Sequence, residues 1–499
     1  MPRAAVDGAR PVDGAAMDGG HGRPASQAGA GSARIADPHG PGTAGGRPPL
    51  PLPARGHRPG PLDPGPLESV VMQPTDESTA EPAAEPTVEP TAEHAAGPTV
   101  QSVDVAALLA DPYGTYAALR EAAPVHRMTG PDGRPAWLVT RYDDVRRALA
   151  DPRLSLDRRN ALPGSYSGLS LPPALDANLL NMDPPDHTRL RRLVVKAFTP
   201  ARVEALRAPV RRLAGDLLDA VAADGRADLM AAYAGPLPIA VICDLLGVPQ
   251  RDRRDFREWT DALIAPDPGQ PHRAKEAVGS LMRFVAALIE GKRAEPGDDL
   301  LSDLIAVRDG GDVLSPDELT SLVFLLLFAG YENTVHLIAN AVLALLEHPV
   351  LLREVRSDPD VLATAVEEFM RWDGPVPLAI RRFPLQDVTI GGVVVPKGET
   401  VLLSLASANR DARQFPDPDR LDLRREHSGQ LGLGHGIHHC LGAALARMET
   451  ETALAVLFER LEDLELDLPK APPVRRESLR ARGLKSLPVR WSAQKRTGF

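Results

Sequence analysis

The ten residues Leu433-Gly434-His435-Gly436-Ile437-His438-His439-Cys440-Leu441-Gly442 carry the densest set of reactive side chains in the chain. Three histidines and a cysteine within six residues suggest zinc first. Structural zinc sites, however, space their ligands in pairs across a loop or helix. The only other cysteine, Cys243, lies in the apolar run Ile242-Cys243-Asp244-Leu245-Leu246 and reads as a small buried hydrophobe. The glycines favour another reading. Gly434 and Gly436 permit a tight turn whose backbone N–H groups can point at a sulfur. Gly442 lets the following helix lie flat against a large planar group. Cys440 then stands at a helix N-terminus, where the positive end of the dipole lowers thiol pKa and favours thiolate. A thiolate ligand to haem iron needs that setting.

A second signal is an acid inside an apolar run. Leu325-Leu326-Leu327-Phe328-Ala329-Gly330-Tyr331-Glu332-Asn333-Thr334 interrupts a helical pattern over 316–346 with small residues and then a carboxylate. A buried carboxylate without a partner is costly, so the interruption points to a site rather than to core. Glu368 and Arg371 stand at i,i+3, in ion-pair reach on one helix face. Alone such a pair means little, because exposed helices are full of them. Met182-Asp183-Pro184-Pro185-Asp186 reads as a helix start. Behind it His187 and Arg191 share a face, about 40° apart. Arg189, Arg192 and Lys196 cluster roughly opposite, as a solvated face or a dock.

The elements that position these residues are mostly helical. Three-to-four-residue apolar periodicity marks 103–122, 203–223, 235–247, 271–292, 316–346, 349–356, 361–372 and a last long helix over about 441–459. Trp137-Leu138-Val139 is strand-like, with a short helix beginning near Tyr142. Asp387-Val388-Thr389-Ile390, Gly391-Gly392 and Val393-Val394-Val395 read as a β-hairpin. At roughly 150 residues per domain, 499 residues allow about three domains. Composition reduces that to one. Residues 1–100 hold 18 Pro and 15 Gly and no Phe, Tyr or Trp, too little apolar surface to offset ordering entropy. The tail ends in a period-four Glu-Pro repeat, Glu81 to Glu93, that favours extended chain. It reads as a spacer or docking tail or, as favoured here, a disordered extension or an artefact of an upstream start with Met72 the true one. Residues 101–499 are expected to form a single domain.

Other classes are disfavoured. No run of 18 apolar residues announces a membrane span. No apolar signal-peptide core opens the chain. Two cysteines rule out a disulfide scaffold and suggest a reducing compartment, hence the cytoplasm. The net charge of −10 asks for no nucleic acid.

The cysteine loop resembles the haem-binding segment of the cytochrome P450 superfamily, Phe-Gly-x-Gly-x-His/Arg-x-Cys-x-Gly, with Leu433 in place of Phe. The other motifs follow in that family's order over residues 103–492. The resemblance implies a mainly α fold with a minor β part and haem b between the helices at 316–346 and 440–459. It implies Cys440 as axial ligand. It gives the haem propionates to His187, Arg191, His438 and Arg382, with Arg381 a one-residue alternative. Gly434 and Gly442 shape the loop, and Ala329 and Gly330 leave room for dioxygen. Glu332 corresponds to the acid of the proton relay. Asn333 occupies the position usually held by an alcohol, with Thr334 next. Glu368, Arg371 and Arg420, from Pro418-Asp419-Arg420-Leu421, form a structural trio. The implied reaction inserts one oxygen atom of O2 into a C–H or C=C bond of a hydrophobic, macrolide- or polyketide-like metabolite. Electrons come from NAD(P)H through a ferredoxin reductase and a ferredoxin to a monomeric enzyme. Cavity walls would come from 157–180, 258–275, Phe328, Ala329, Pro377–Ile380 and Leu484. A peroxide-driven or rearranging haem-thiolate enzyme and a non-catalytic haem carrier or sensor remain as alternatives.

Overall fold

Helix start signals written in the sequence set most of the architecture. The computed structural model describes residues 101–166, 178–196, 198–264, 271–309, 314–426, 429–467 and 473–492. The tail 1–100 and parts of the expected cavity walls at 157–180 and 258–275 lie outside them. Helix α1 spans Tyr142–Ala150 and α2 spans Asp186–Val195. Helix α3, Pro200–Asp219, opens with proline at its first position and with the Thr199 hydroxyl accepting the Arg202 N–H. Helix α4, Pro236–Leu245, carries Cys243, which is buried as expected and whose thiol burial pushes up to about 12.

Four helices frame the site: α5 (Pro316–Ala329), α6 (Glu332–Glu347), α7 (Leu362–Asp373) and α8 (Ala443–Arg460). A capping box starts α5. The Ser315 hydroxyl accepts the Glu318 N–H at 3.1 Å, and the Glu318 carboxylate accepts the Ser315 N–H at 2.7 Å. Helix α8 packs along α3, α6 and α7. Their shared core includes Val210, Leu218, Ile338, Leu345, Leu454 and Leu457.

The sequence pattern over 316–346 predicts one helix; the structure has two. Gly330 caps α5, its N–H reaching Leu326 at 3.2 Å, and α6 restarts at Glu332. Apolar periodicity runs through the junction because both segments face the same core, so it hides the break. By length and mean hydropathy (1.6) the combined stretch Pro316–Glu347 is apolar enough to cross a membrane. Protein covers 71% of its most apolar window, which makes it a core element.

The β part is small. Strands β1 (Val125–Thr129) and β2 (Pro135–Val139) pair antiparallel, and β3 (Leu154–Ser155) and β4 (Arg226–Asp228) follow. Strand β5 (Phe383–Pro384) pairs with β3. Strands β6 (Val388–Ile390) and β7 (Val393–Val395) form the expected hairpin. Its turn residues Gly391 and Gly392 have φ of 56° and 85°, as a tight two-residue turn requires. Strand β8 (Val401–Leu403) joins β2 in parallel. Strands β9 (Glu465–Leu466) and β10 (Pro488–Arg490) close a last sheet with β4.

Candidate haem site

The cysteine loop folds back on itself before α8. Gly434 and Gly436 both sit at φ 75°, where side chains are disfavoured. A Cβ on Gly436 would also lie 3.2 Å from the backbone at Leu149 and Ala150, so the loop is pressed against the end of α1. The Gly434 N–H donates to Leu431 and the Cys440 N–H to Leu433, each at 2.8 Å. The Gly442 N–H, at the start of α8, faces the Cys440 sulfur. The expectation that the helix start lowers the thiol pKa is corrected here. Cys440 is accessible from the site, yet its sulfur lies among protein atoms, and this burial raises the thiol pKa. The Gly442 N–H, Arg191 and Arg447 act in the opposite direction and do not prevail. The helix start alone does not make a thiolate; metal coordination deprotonates a thiol outright.

Four basic side chains converge beside this loop. His187, on α2, is buried, and neither ring nitrogen has a hydrogen-bond partner among the described residues. Its ring centroid lies 4.2 Å from that of His438. Arg191, one turn along α2, donates to the His439 carbonyl at 2.6 Å. Arg382 is buried and donates to the Ile380 carbonyl at 2.6 Å. Burial, then His187, Arg382 and Arg191, push His438 down to about 3. Burial also pushes Arg382 down to about 10, with Asp183 opposing. Burial and Arg191 lower His187. Asp183 is itself engaged by the Ser155 hydroxyl and, at 3.0 Å, by the Leu156 N–H. A desolvated cluster of bases with so little counter-charge fits a ligand carrying two carboxylates. Arg381, the alternative to Arg382, turns elsewhere: it donates to the Asn181 side chain at 2.9 Å and lies 4.9 Å from the Tyr166 ring.

At the helix break, Ala329, which ends α5, and Asn333, in the first turn of α6, are both exposed. Thr334 is buried, its hydroxyl donating back to the Gly330 carbonyl at 3.4 Å. Glu332 is half-buried rather than buried and partnerless. Its Oε1 lies 3.6 Å from His336 Nε2 and 3.8 Å from Arg476 Nη1.

Glu368 and Arg371 form a fully buried bidentate pair, at 2.7 and 2.9 Å. Arg371 also reaches the carbonyls of Asn409 and Pro418. The third arginine is Arg425, 3.2 Å from Glu368, and not Arg420. The Arg420 side chain is 69% exposed and lies 3.7 Å from Asp422, while its carbonyl accepts from Arg371 at 3.2 Å and from Arg425 at 3.1 Å. The sequence held no sign of Arg425, which follows Arg424 in an irregular segment with no spacing to read. A further link went unanticipated. Glu367 on α7 binds Arg447 on α8 and the Gln430 amide (2.9 Å), while the Gln430 oxygen accepts the Gly432 N–H. That chain of contacts holds the start of the cysteine loop. Of the outward cluster on α2, Arg192 and Lys196 are exposed, but Arg189 is paired with Glu318 at the start of α5.

A helical fold that sets an accessible sulfur at a helix start beside a desolvated cluster of histidines and arginines defines a haem-thiolate protein. The chain belongs to the cytochrome P450 family. That family's profile, Cytochrome P450, matches residues 255–479. The chain is 48% identical to the cytochrome P450 monooxygenase PikC of Streptomyces venezuelae, over 78% of this chain and 94% of PikC. It is 44% identical to the 6-deoxyerythronolide B hydroxylase of Saccharopolyspora erythraea, over 79% of this chain and 99% of that protein. Among solved structures, the tirandamycin C-bound P450 monooxygenase TamI matches with a TM-score of 0.71 and 41% identity, over 79% and 100% of the two chains. The protein is thus a P450 monooxygenase with haem as cofactor.

Proposed function

We propose that this enzyme inserts one oxygen atom of O2 into a C–H or C=C bond of a large hydrophobic polyketide-derived metabolite, with electrons from NAD(P)H through a ferredoxin reductase and a ferredoxin. The observation that carries the site is the convergence of His187, Arg191, Arg382 and His438 beside Cys440. These four bases would hold the two haem propionates, and Cys440 would ligate the iron. When bound, haem supplies the activation of dioxygen. The chain's own groups supply shape and protons. Ala329 and Gly330 keep the helix break open. Glu332 passes protons inward, and the exposed Asn333 amide offers a hydrogen-bond donor where Thr334 has turned its hydroxyl into the helix.

The substrate class rests on the relatives, which include hydroxylases of 6-deoxyerythronolide B and mycinamicin IV. The ferredoxin rests on the exposed cations Arg192 and Lys196. Both cysteines are free, in keeping with a cytoplasmic enzyme. It acts as a monomer, with residues 101–499 as the working unit.

Two measurements test the reading. The ferrous–CO spectrum should show the strong red shift of a thiolate donor and lose it in Cys440→Ser; an imidazole-like wild-type spectrum overturns the ligand assignment. Titration with 6-deoxyerythronolide B and tirandamycin C should displace the iron spin state, and turnover with a ferredoxin pair should add one oxygen by mass. Turnover with hydrogen peroxide and none with the ferredoxin pair would make the enzyme peroxide-driven.

A further inference from the structure

His336 is buried one turn beyond Glu332 on α6, and neither of its ring nitrogens makes a hydrogen bond among the described residues. Buried polar atoms left in this way ask for a reason. The ring is wedged between two things. Its Nε2 faces Glu332 Oε1 at 3.6 Å, and its Nδ1 faces Gly483, where an added Cβ would fall 2.2 Å away. Gly483 therefore has to lack a side chain for the imidazole to sit where it does.

Gly483 and Arg476 belong to the same hairpin, closed by the Arg475–Leu484 bridge and by the Arg476 N–H donating to the Gly483 carbonyl at 2.9 Å. Arg476 Nη1 reaches the same Glu332 oxygen, at 3.8 Å. The hairpin is firmly held. Buried Asp373, at the end of α7, accepts from Arg475 at 2.8 Å, from Arg482 at 2.6 Å and from the Tyr113 hydroxyl at 2.6 Å. Asn340, one further turn along α6, donates to the Arg482 carbonyl at 2.9 Å. The hairpin, Arg476 and Gly483 included, lines a cavity of about 390 Å³, so one end of the arrangement meets water.

We propose that His336, Arg476 and Gly483 form a clamp that fixes the orientation of Glu332 from behind, making His336 and Arg476 positioning residues for proton delivery. The inference rests on the relay role proposed for Glu332. The hairpin carries the clamp, and Asp373 ties that hairpin to α7. A carboxylate serving as a relay must point the same way in every turnover, and small misplacements of such groups are expensive in rate. Two nitrogen-bearing side chains at 3.6 and 3.8 Å restrain the carboxylate yet leave it without a short bond that would hold it shut.

The test uses the haem-loaded full chain in two arms. In the first, isotope-labelled histidine NMR of the ferrous–CO enzyme follows the His336 ring nitrogens, assigned by their loss in His336→Asn. Glu332→Gln and Arg476→Gln should each move those resonances; unmoved resonances mean the contact does not exist in solution and overturn the clamp. In the second, oxygen consumption and peroxide release are measured with a ferredoxin pair that supports wild-type turnover and 6-deoxyerythronolide B as probe. His336→Asn, Gly483→Ala and Arg476→Gln should each slow oxygen consumption on the order of 10-fold and raise the peroxide share, with Arg476→Lys partly restoring both. Arg476 is partly exposed, so its variants also serve if the buried substitutions fail to fold. Clamp variants that match wild type while Glu332→Gln is slow overturn the clamp and leave the relay standing. A Glu332→Gln enzyme that matches wild type overturns both.

Discussion

At the scale of single residues, the site was legible wherever a residue sat inside a dense local motif. Cys440, His438, His187 and Arg191 lie in short segments whose spacing carries meaning, and the structure brings them together. Arg425 was not legible, because the chain between α7 and the cysteine loop is irregular and neighbouring arginines cannot be ranked without coordinates. The two arginines now separate by experiment. Arg425 is largely covered and bonded to a fully buried Glu368, so Arg425→Met should cost roughly 1.5–3 kcal/mol, the range for hydrogen bonds to charged groups. Arg420→Met, on an exposed side chain, should stay within about 0.5 kcal/mol. Denaturant unfolding of the haem-loaded protein reads both; equal losses would return Arg420 to the trio. Asn333 gives a second residue-scale prediction. An amide can donate and accept, but it is larger and less acidic than a hydroxyl in a proton chain. Asn333→Ala should release more peroxide per electron, and Asn333→Thr should couple as well as wild type or better. Because water can replace one relay donor, the loss should be about 10²-fold or less. Wild-type coupling in Asn333→Ala would assign the hydrogen bond to Thr334 or to the substrate.

At the scale of elements, start signals were readable and interruptions were not. The Gly391-Gly392 turn sits where the sequence puts it, and α2 starts behind Asp183-Pro184-Pro185 as its start signal predicts. The gap between α5 and α6 was hidden by apolar residues continuous on both sides, although Gly330 and Glu332 were correctly marked as unusual there. Helix α8 holds another departure from its pattern. Glu449 is buried among apolar residues, its Oε1 unbonded among the described residues, and burial pushes its carboxyl up to about 8. The folded chain therefore keeps a proton that the unfolded chain releases near pH 4.3, the ordinary value for Glu. The stabilising contribution is complete below that pH, declines as pH rises toward about 8, and is gone above it. Glu449→Gln removes the dependence. Its melting temperature relative to wild type should climb between pH 5 and 8, by about a few degrees in total, and level off beyond. A difference that stays flat across that range would mean Glu449 ionises normally and water reaches it.

At the scale of the whole molecule, the division of α2 into two faces decides how electrons could arrive. One face turns His187 and Arg191 inward, beside the cysteine loop. The other leaves Arg192 and Lys196 exposed, while Arg189, expected among them, is held by Glu318. Because both faces belong to α2, an acidic protein docked on the exposed pair would deliver electrons near Cys440. The competing view is that two surface cations on a chain with net charge −10 are only solvated. The views differ in what salt does. Exposed charges attract over the Debye length, about 8 Å at physiological ionic strength, and concentrated salt removes that attraction. Reversal of Arg192 and Lys196 to glutamate should therefore slow ferredoxin-dependent reduction most at low salt, by a factor on the order of ten, with the gap closing as salt rises. Spectral titration with 6-deoxyerythronolide B should be unaltered, because neither side chain faces inward. Arg189→Glu separates the mechanisms further. It sets two carboxylates together at the start of α5, so its defect should appear in thermal stability and persist in high salt. Reduction kinetics in the double reversal that match wild type at low salt would leave Arg192 and Lys196 as solvated surface and move the dock elsewhere.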